Sequence, residues 1–327
     1  MRHRTFSLAF TVLVCISHFC AADDALRIGL IGLDSSHAVA FTKTINSPEF
    51  TQTHGNVRVV AAFPGGSPDL QASTSRIEQL TANVKSLDVE IVPSIEALLP
   101  KVNAVIINSV DGRIHLSQAR PVLEAGIPLF IDKPLAASLK DALEIYRLAE
   151  KHHTPIFSSS TLRFCPEVVK ATREQPVGNL VGCVSYSPCK TDPTHPDLYW
   201  YGIHGVETLF TIMGPGCVSV QRTKVDGADV VTGIWKDGRV GTFRGIRDGS
   251  LGYGAVLFGT KGIQQVAVKP GYDQLVHEIV TFFKTRTPPV SPEQTLEILA
   301  FMQAADQSRD NQGKSVALPA FSVTVSQ

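Results

Sequence analysis

The chain has no excess of either charge: thirty lysines and arginines balance thirty aspartates and glutamates across 327 residues. That balance removes the basic patch expected of a nucleic-acid or anionic-membrane protein and leaves a small, neutral ligand as the expected partner. Cysteine is also sparse. Only Cys165, Cys183, Cys189 and Cys217 lie beyond the first 22 residues, with no C-x-x-C and no zinc-site spacing. Buried free thiols and a single disulfide both remain open. Internal repeats and low-complexity segments are missing, which excludes repeat architectures. The N-terminal apolar stretch, residues 6–19, is shorter than the roughly 20 residues that a membrane-spanning helix needs.

What the N-terminus does have is the pattern of an export signal over residues 1–22. Arg2 and Arg4 give a positive start, and Cys20-Ala21-Ala22 offers small residues for cleavage. A lipid-modified Cys20 is disfavoured by His18 and Phe19, and a twin-arginine signal is only half present. The expectation is an exported, periplasmic or extracellular protein with no stable membrane insertion after cleavage.

The remaining length suffices for two domains, each with a core. Residues 25–157 alternate short apolar runs with helical patterns. The runs are 27–31, 57–63, 89–92, 104–107, 129–131 and 155–157, and the helices are 36–46, 74–86, 94–100, 114–125 and 138–152. Continuous apolar strands separated by amphipathic helices predict a Rossmann-type, doubly wound parallel sheet, hence an α/β class. From 158 to 327 the pattern changes to β-type alternation with Asp-Gly turn signals at Asp237-Gly238 and Asp248-Gly249. An α+β domain with a mostly antiparallel open sheet is expected there, with helices near 203–213, 272–285 and 292–306. An exposed face of that sheet would make a homo-oligomer surface.

Two of three fingerprint glycines are absent from the first strand–helix turn. Gly29-Leu30-Ile31-Gly32-Leu33-Asp34-Ser35-Ser36-His37 stands where G-x-G-x-x-G belongs, and only Gly32 is in register. A carboxylate at Asp34 brings bulk and repulsion toward a pyrophosphate. Ser35 and Ser36 still cap the helix, and its N-terminus still attracts anions. A dinucleotide site and a plain N-capped turn therefore both fit. The second strand ends in Phe63-Pro64-Gly65-Gly66-Ser67 without the usual acidic residue, a composition compatible with NADP as well as NAD.

Two further segments carry chemistry. Ile131-Asp132-Lys133-Pro134 ends a strand with a lysine, at the edge where ligands of parallel sheets bind. Tyr201-Gly202-Ile203-His204-Gly205-Val206-Glu207 opens a helix with a histidine, the side chain best suited to move a proton near neutrality. Just before it, residues 190–201 mix aromatics, acids and a histidine, as sugar recognition does. Asp192, His195 and Asp197 would be the alternative metal set, but their spacing is not diagnostic, and no metal is expected.

Together with Ile107-Asn108-Ser109-Val110-Asp111, His115, Arg163-Phe164 and Gly259-Thr260-Lys261-Gly262, these segments occur in an order that resembles the Gfo/Idh/MocA family of sugar and polyol dehydrogenases, from about residue 26 to 325. The resemblance implies a Rossmann domain binding NAD or NADP through Gly32, Ser35, Ser36, Ser109, Asp111, Asp132 and Lys133. It implies Lys133 and His204 as catalytic residues, with Arg163, Tyr199, Tyr201 and Glu207 toward the substrate. The family's aspartate four residues before the histidine is Trp200 here, which cannot accept a proton. The implied reaction is oxidation of a sugar or polyol hydroxyl. A cofactor-retaining glycoside-cleaving enzyme and a non-catalytic sugar-binding protein on the same scaffold are the alternatives.

Overall fold

The computed structural model of the protein describes residues 25–321. The expected export segment, residues 1–22, lies outside the described residues.

The apolar runs of the first half form β1 (Leu26–Ile31), β2 (Val57–Phe63), β3 (Glu90–Ile91), β4 (Ala104–Ile107), β5 (Leu129–Asp132) and β6 (Ile156–Ser159). They make one sheet in the order β3-β2-β1-β4-β5-β6, with every neighbouring pair parallel. The order reverses between β1 and β4, which opens a crevice at the strands' C-terminal ends. Between the strands run α1 (Ser36–Ile45), α2 (Pro48–His54), α3 (Gln71–Thr74), α4 (Ile77–Lys85), α5 (Ile95–Leu98), α6 (His115–Glu124) and α7 (Leu139–Lys151). α7 buries Leu139, Ala142, Ile145, Tyr146 and Ala149 as one stripe, and Ser138 caps its start by accepting from the Asp141 N–H. The sequence reading missed α2, although Ser47 caps it and Pro48 sits in its first turn, a standard start signal.

The second half contains α8 (Pro166–Glu174), β7 (Leu180–Pro188), a π-helical turn at Leu198–Gly202, α9 (Ile203–Met213), β8 (Cys217–Val225), β9 (Ala228–Trp235), β10 (Val240–Ile246), β11 (Gly254–Gly259), β12 (Gly262–Ala267), α10 (Asp273–Thr285), α11 (Pro292–Asp310) and β13 (Val316–Ala317). Its sheet has the order β12-β11-β7-β10-β9-β8-β13 and is antiparallel except between β7 and β10. Asp237-Gly238 does turn one hairpin, β9 into β10. Asp248-Gly249 does not, because β7 lies between β10 and β11. That insertion is a long-range pairing with no local signal.

α9 and α11 cover one face of this sheet, with Phe210 packed against Trp235 and Phe301. The opposite face is open and carries Ile234 and Val240, paired across β9 and β10. α10 departs from the expected boundary at residue 158. Its Leu275, Val276, Ile279, Val280, Phe282 and Phe283 are buried in one core with Ile28, Leu30, Phe41, Phe130 and Phe157 of the first domain. Each such side chain contributes roughly 1.5–3 kcal/mol on burial. The C-terminal half thus completes the first domain and fixes the two sheets around the crevice.

Candidate active site in the interdomain crevice

The nucleotide-type turn sits at the C-terminal end of β1. Gly32 adopts φ +87°, and a Cβ there would lie 2.2 Å from Ser109 Oγ, so the position admits only glycine. Asp34 is fully buried. Its carboxylate accepts from the Val110 N–H at 2.9 Å and from Ser73 Oγ at 2.6 Å. The expected repulsion toward a phosphate is therefore corrected: the charge turns into the protein and is taken up by its donors. Ser35 caps α1 by accepting from the His37 N–H, and Ser36 is exposed beside it. Around the turn, Ser109 Oγ, Gln118 Oε1 and both polar atoms of the Asn108 amide are buried without a hydrogen-bond partner. Buried polar groups that want partners, beside a helix N-terminus, fit a dinucleotide.

β5 delivers Asp132 and Lys133, and the Lys133–Pro134 peptide bond is cis. Asp132 is a hub. One carboxylate oxygen accepts from the Lys133 N–H at 2.9 Å. The other lies 2.6 Å from His37 Nδ1 and 3.8 Å from Lys133 Nζ. Burial opposes ionisation of Asp132, but the charges of His37 and Lys133 outweigh it and hold the carboxyl well below the usual range. Asp132 therefore serves its neighbours rather than a cofactor.

α9 delivers His204 from the second domain. The π-helical turn before it was not foreseen; such turns re-aim side chains at functional sites. Gly202 has an ordinary helical φ of −61°. A Cβ there would lie 3.0 Å from Cys189 Sγ and 3.1 Å from Leu198 Cδ2, so a larger residue fits only if these side chains give way by a few tenths of an ångström. His204 Nδ1 lies 2.7 Å from Ser160 Oγ. Burial, then the positive charge of Lys133, then His37 push the His204 pKa well below its ordinary value. The charge of Lys133 therefore reaches the His204 ring across the crevice.

Several expected contacts are corrected. Tyr199 is a core residue whose hydroxyl donates to the Leu299 carbonyl at 2.9 Å. Glu207 is buried and accepts from Arg163 Nε (2.8 Å), Ser159 Oγ (2.5 Å) and the Ser160 N–H (2.7 Å). Arg163 and Glu207 therefore pair with each other, Arg163 Nη2 is left buried without a partner, and Glu207 also holds Ser160 beside His204. Asp111 is fully buried, bonded to Arg113 and 3.1 Å from His195 Nε2. Burial opposes its ionisation, yet bonds from His195, Arg113 and Ser67 hold its carboxyl far below the usual range. It ties the two domains together rather than facing a cofactor. Asp197 pairs with Arg222, Lys224 and Arg309, and no group of metal-ligating side chains occurs among the described residues. Tyr201 does face the crevice, with its ring 5.0 Å from His204.

Four crevice residues escaped sequence reasoning. Tyr253 lies with its hydroxyl 3.2 Å from that of Tyr201. Tyr272 stacks edge-on against His37 at 4.7 Å. Ser160 holds His204, and His37 was visible only as a missing glycine. Tyr253 and Tyr272 carry no motif; the fold alone brings them in.

The first domain also matches known proteins. The family model of the Gfo/Idh/MocA oxidoreductases, an NAD-binding Rossmann fold, matches residues 26–159. No curated protein matches the chain. Among solved structures, a myo-inositol dehydrogenase from Corynebacterium glutamicum is 17% identical, covering 91% of this chain and 100% of that one, with a TM-score of 0.72. The myo-inositol dehydrogenase of Lactobacillus casei, solved with NAD(H) and myo-inositol, is 16% identical over 91% of this chain and 98% of its own, with a TM-score of 0.71. The scyllo-inositol dehydrogenase of the same organism, with NAD(H) and scyllo-inositol, is 14% identical over 90% and 99%, with a TM-score of 0.72. These likenesses establish a shared two-domain fold.

Proposed function

We propose, for a chain whose N-terminal domain belongs to the Gfo/Idh/MocA oxidoreductases with their NAD-binding Rossmann fold, that the protein is an exported NAD(P)-dependent dehydrogenase of a sugar or polyol hydroxyl. The observation that supports this reading is the cluster at the end of β5, where Asp132 Oδ2 lies 2.6 Å from His37 Nδ1 at the N-terminus of α1 and 3.8 Å from Lys133 Nζ, with His204 of α9 within range of both positive groups. Gly32, Ser35 and Ser36 would hold the dinucleotide phosphates there, and Asn108 and Gln118 offer buried polar groups nearby. Bound NAD(P) would supply the hydride acceptor. Lys133 hydrogen-bonds the substrate oxygen and stabilises the negative charge that develops on it. A crevice imidazole takes the hydroxyl proton. The hydroxyls of Tyr201 and Tyr253 and their ring faces suit a polyhydroxylated ring.

The test is absorbance and mass spectrometry of gently purified protein, followed by calorimetry with NAD⁺ and NADP⁺ and a panel of inositols and hexoses. The reading expects a retained or tightly bound dinucleotide and reduction of it by at least one polyol. Equal, millimolar-or-weaker binding of both dinucleotides would overturn it and favour a non-catalytic sugar-binding protein. Export predicts a mature form lacking residues 1–22. The open sheet face with Ile234 and Val240 predicts a homo-oligomer, readable by light scattering.

A further inference from the structure

The crevice holds two imidazoles, and their surroundings are opposite. His204 is held on Nδ1 by a neutral hydroxyl, Ser160, and a positive charge on its ring would face Lys133. His37 is held on Nδ1 by a buried carboxylate: Asp132 Oδ2 lies 2.6 Å away. Because that carboxylate is ionised, Nδ1 of His37 carries the hydrogen and Nε2 is the nitrogen left for chemistry. Nε2 takes part in no hydrogen bond among the described residues, Nδ1 meets Asp132 as a close ion pair outside hydrogen-bond alignment, and the side chain keeps 11% of its surface exposed. The same oxygen of Asp132 touches Lys133 Nζ, so the imidazole and the ammonium are neighbours. The groups facing His37 come from every element around it. They are Asp132 and Lys133 at the end of β5, Ser36 on α1, Tyr272 before α10, and His204 from α9, with Tyr201 beyond it.

We propose that His37, oriented by Asp132, is the proton acceptor of this site, and that His204 acts as a neutral hydrogen-bonding partner of the substrate. This rests on the dehydrogenase reading. In the step, the substrate O–H bond breaks and its proton goes to His37 Nε2. The hydride from the same carbon goes to the nicotinamide of NAD(P)⁺, so one hydride, carrying both electrons, and one proton leave the substrate as it becomes a carbonyl. The imidazolium formed is neutralised by Asp132, whereas one formed on His204 would confront Lys133. A carboxylate that fixes the tautomer of an imidazole and stabilises its cation is the arrangement of a general base. It also accounts for two departures at once. A histidine stands where the fingerprint's last glycine belongs, and Trp200 stands where a second acid was expected.

The first arm of the test needs no substrate. NMR of protein with ¹³C/¹⁵N-labelled histidine, with the two signals assigned through His37→Gln and His204→Gln, follows both imidazoles on acidification. Before acidification, the ¹⁵N shifts should place the hydrogen of His37 on Nδ1, and Asp132→Asn should move it toward Nε2 while leaving the His204 signals in place. Hydrogen on Nε2 of wild-type His37, or a His37 signal unmoved by Asp132→Asn, would overturn the proposal. Should His37→Gln fail to fold, wild type, Asp132→Asn and His204→Gln still decide this arm. The second arm uses NAD⁺ with whichever inositol or hexose the wild type oxidises. His37→Gln should lower kcat by about 10²–10⁴-fold with dinucleotide affinity kept. His204→Gln should act mainly on KM. The reverse split would also refute the assignment. If the wild type oxidises no polyol, the dehydrogenase reading fails by itself, and the NMR arm still judges His37.

Discussion

Replacing Glu207 tests most directly how the crevice is built. The side chain is 4% exposed and accepts three hydrogen bonds, one from the guanidinium of Arg163, itself 8% exposed at the side chain. Glu207→Ala leaves a buried positive charge without its counter-ion and strips two further donors of their acceptor. Breaking a buried pair from one side costs about 3–5 kcal/mol, and each orphaned donor about 1–3 kcal/mol. These terms overlap, so the expected loss is about 4 kcal/mol. Glu207→Gln keeps the shape and an acceptor oxygen but not the charge, and should lose about 2 kcal/mol. In a chain of this size, 4 kcal/mol lowers Tm by roughly 6 °C. Guanidinium midpoints by circular dichroism, backed by calorimetry, measure both variants, and a cycle with Arg163→Ala isolates the pair. A substrate-binding carboxylate would behave in the opposite way, because such groups are commonly neutral or costly to stability. Losses below about 1 kcal/mol in both variants would refute the structural assignment and return Glu207 and Arg163 to the substrate.

Gly32→Ala should abolish dinucleotide binding in calorimetry and lower stability by about 2 kcal/mol or more, since a Cβ at φ +87° would strike Ser109. Burial lowers the pKa of both His115 and His204, so the unfolded chain binds protons that the folded chain refuses. Stability is then fully present above about pH 6.5 and falls as pH drops below it, by up to about 1.4 kcal/mol per pH unit for each histidine. Denaturant midpoints at pH 7.5 and 5.5 should differ in that direction, and a higher midpoint at pH 5.5 would contradict it. Cys165, Cys183, Cys189 and Cys217 are free and buried, and burial pushes the last three up to about 12. They should resist maleimide at pH 7 in the native protein and react on unfolding; a disulfide between any two would refute this.

The first domain was legible because its signals are local. A short apolar run bounded by a capped helix looks the same wherever it occurs, so β1, β2, β4, β5, β6 and α7 follow from periodicity and N-caps. The second sheet was legible only as a class. Alternation gives strands, but the placing of β7 between β10 and β11, and the return of α10 to the first domain's core, are decided by long-range burial.

The same division runs through the site. Sequence by itself determined that a glycine opens the nucleotide turn, that a lysine ends β5 and that a histidine starts α9, because each residue type is dictated by its own strand end or helix start. It could not determine what each charged group meets. Asp34 reads as a repulsive carboxylate until Val110 and Ser73 are placed against it, and Glu207 reads as a substrate ligand until Arg163 arrives. His37 reads as a lost glycine until Asp132 from another strand stands beside it. Partners of a buried charge come from distant segments, and desolvation leaves such a charge no alternative but to pair, so only the tertiary structure decided which side chains remain free for chemistry.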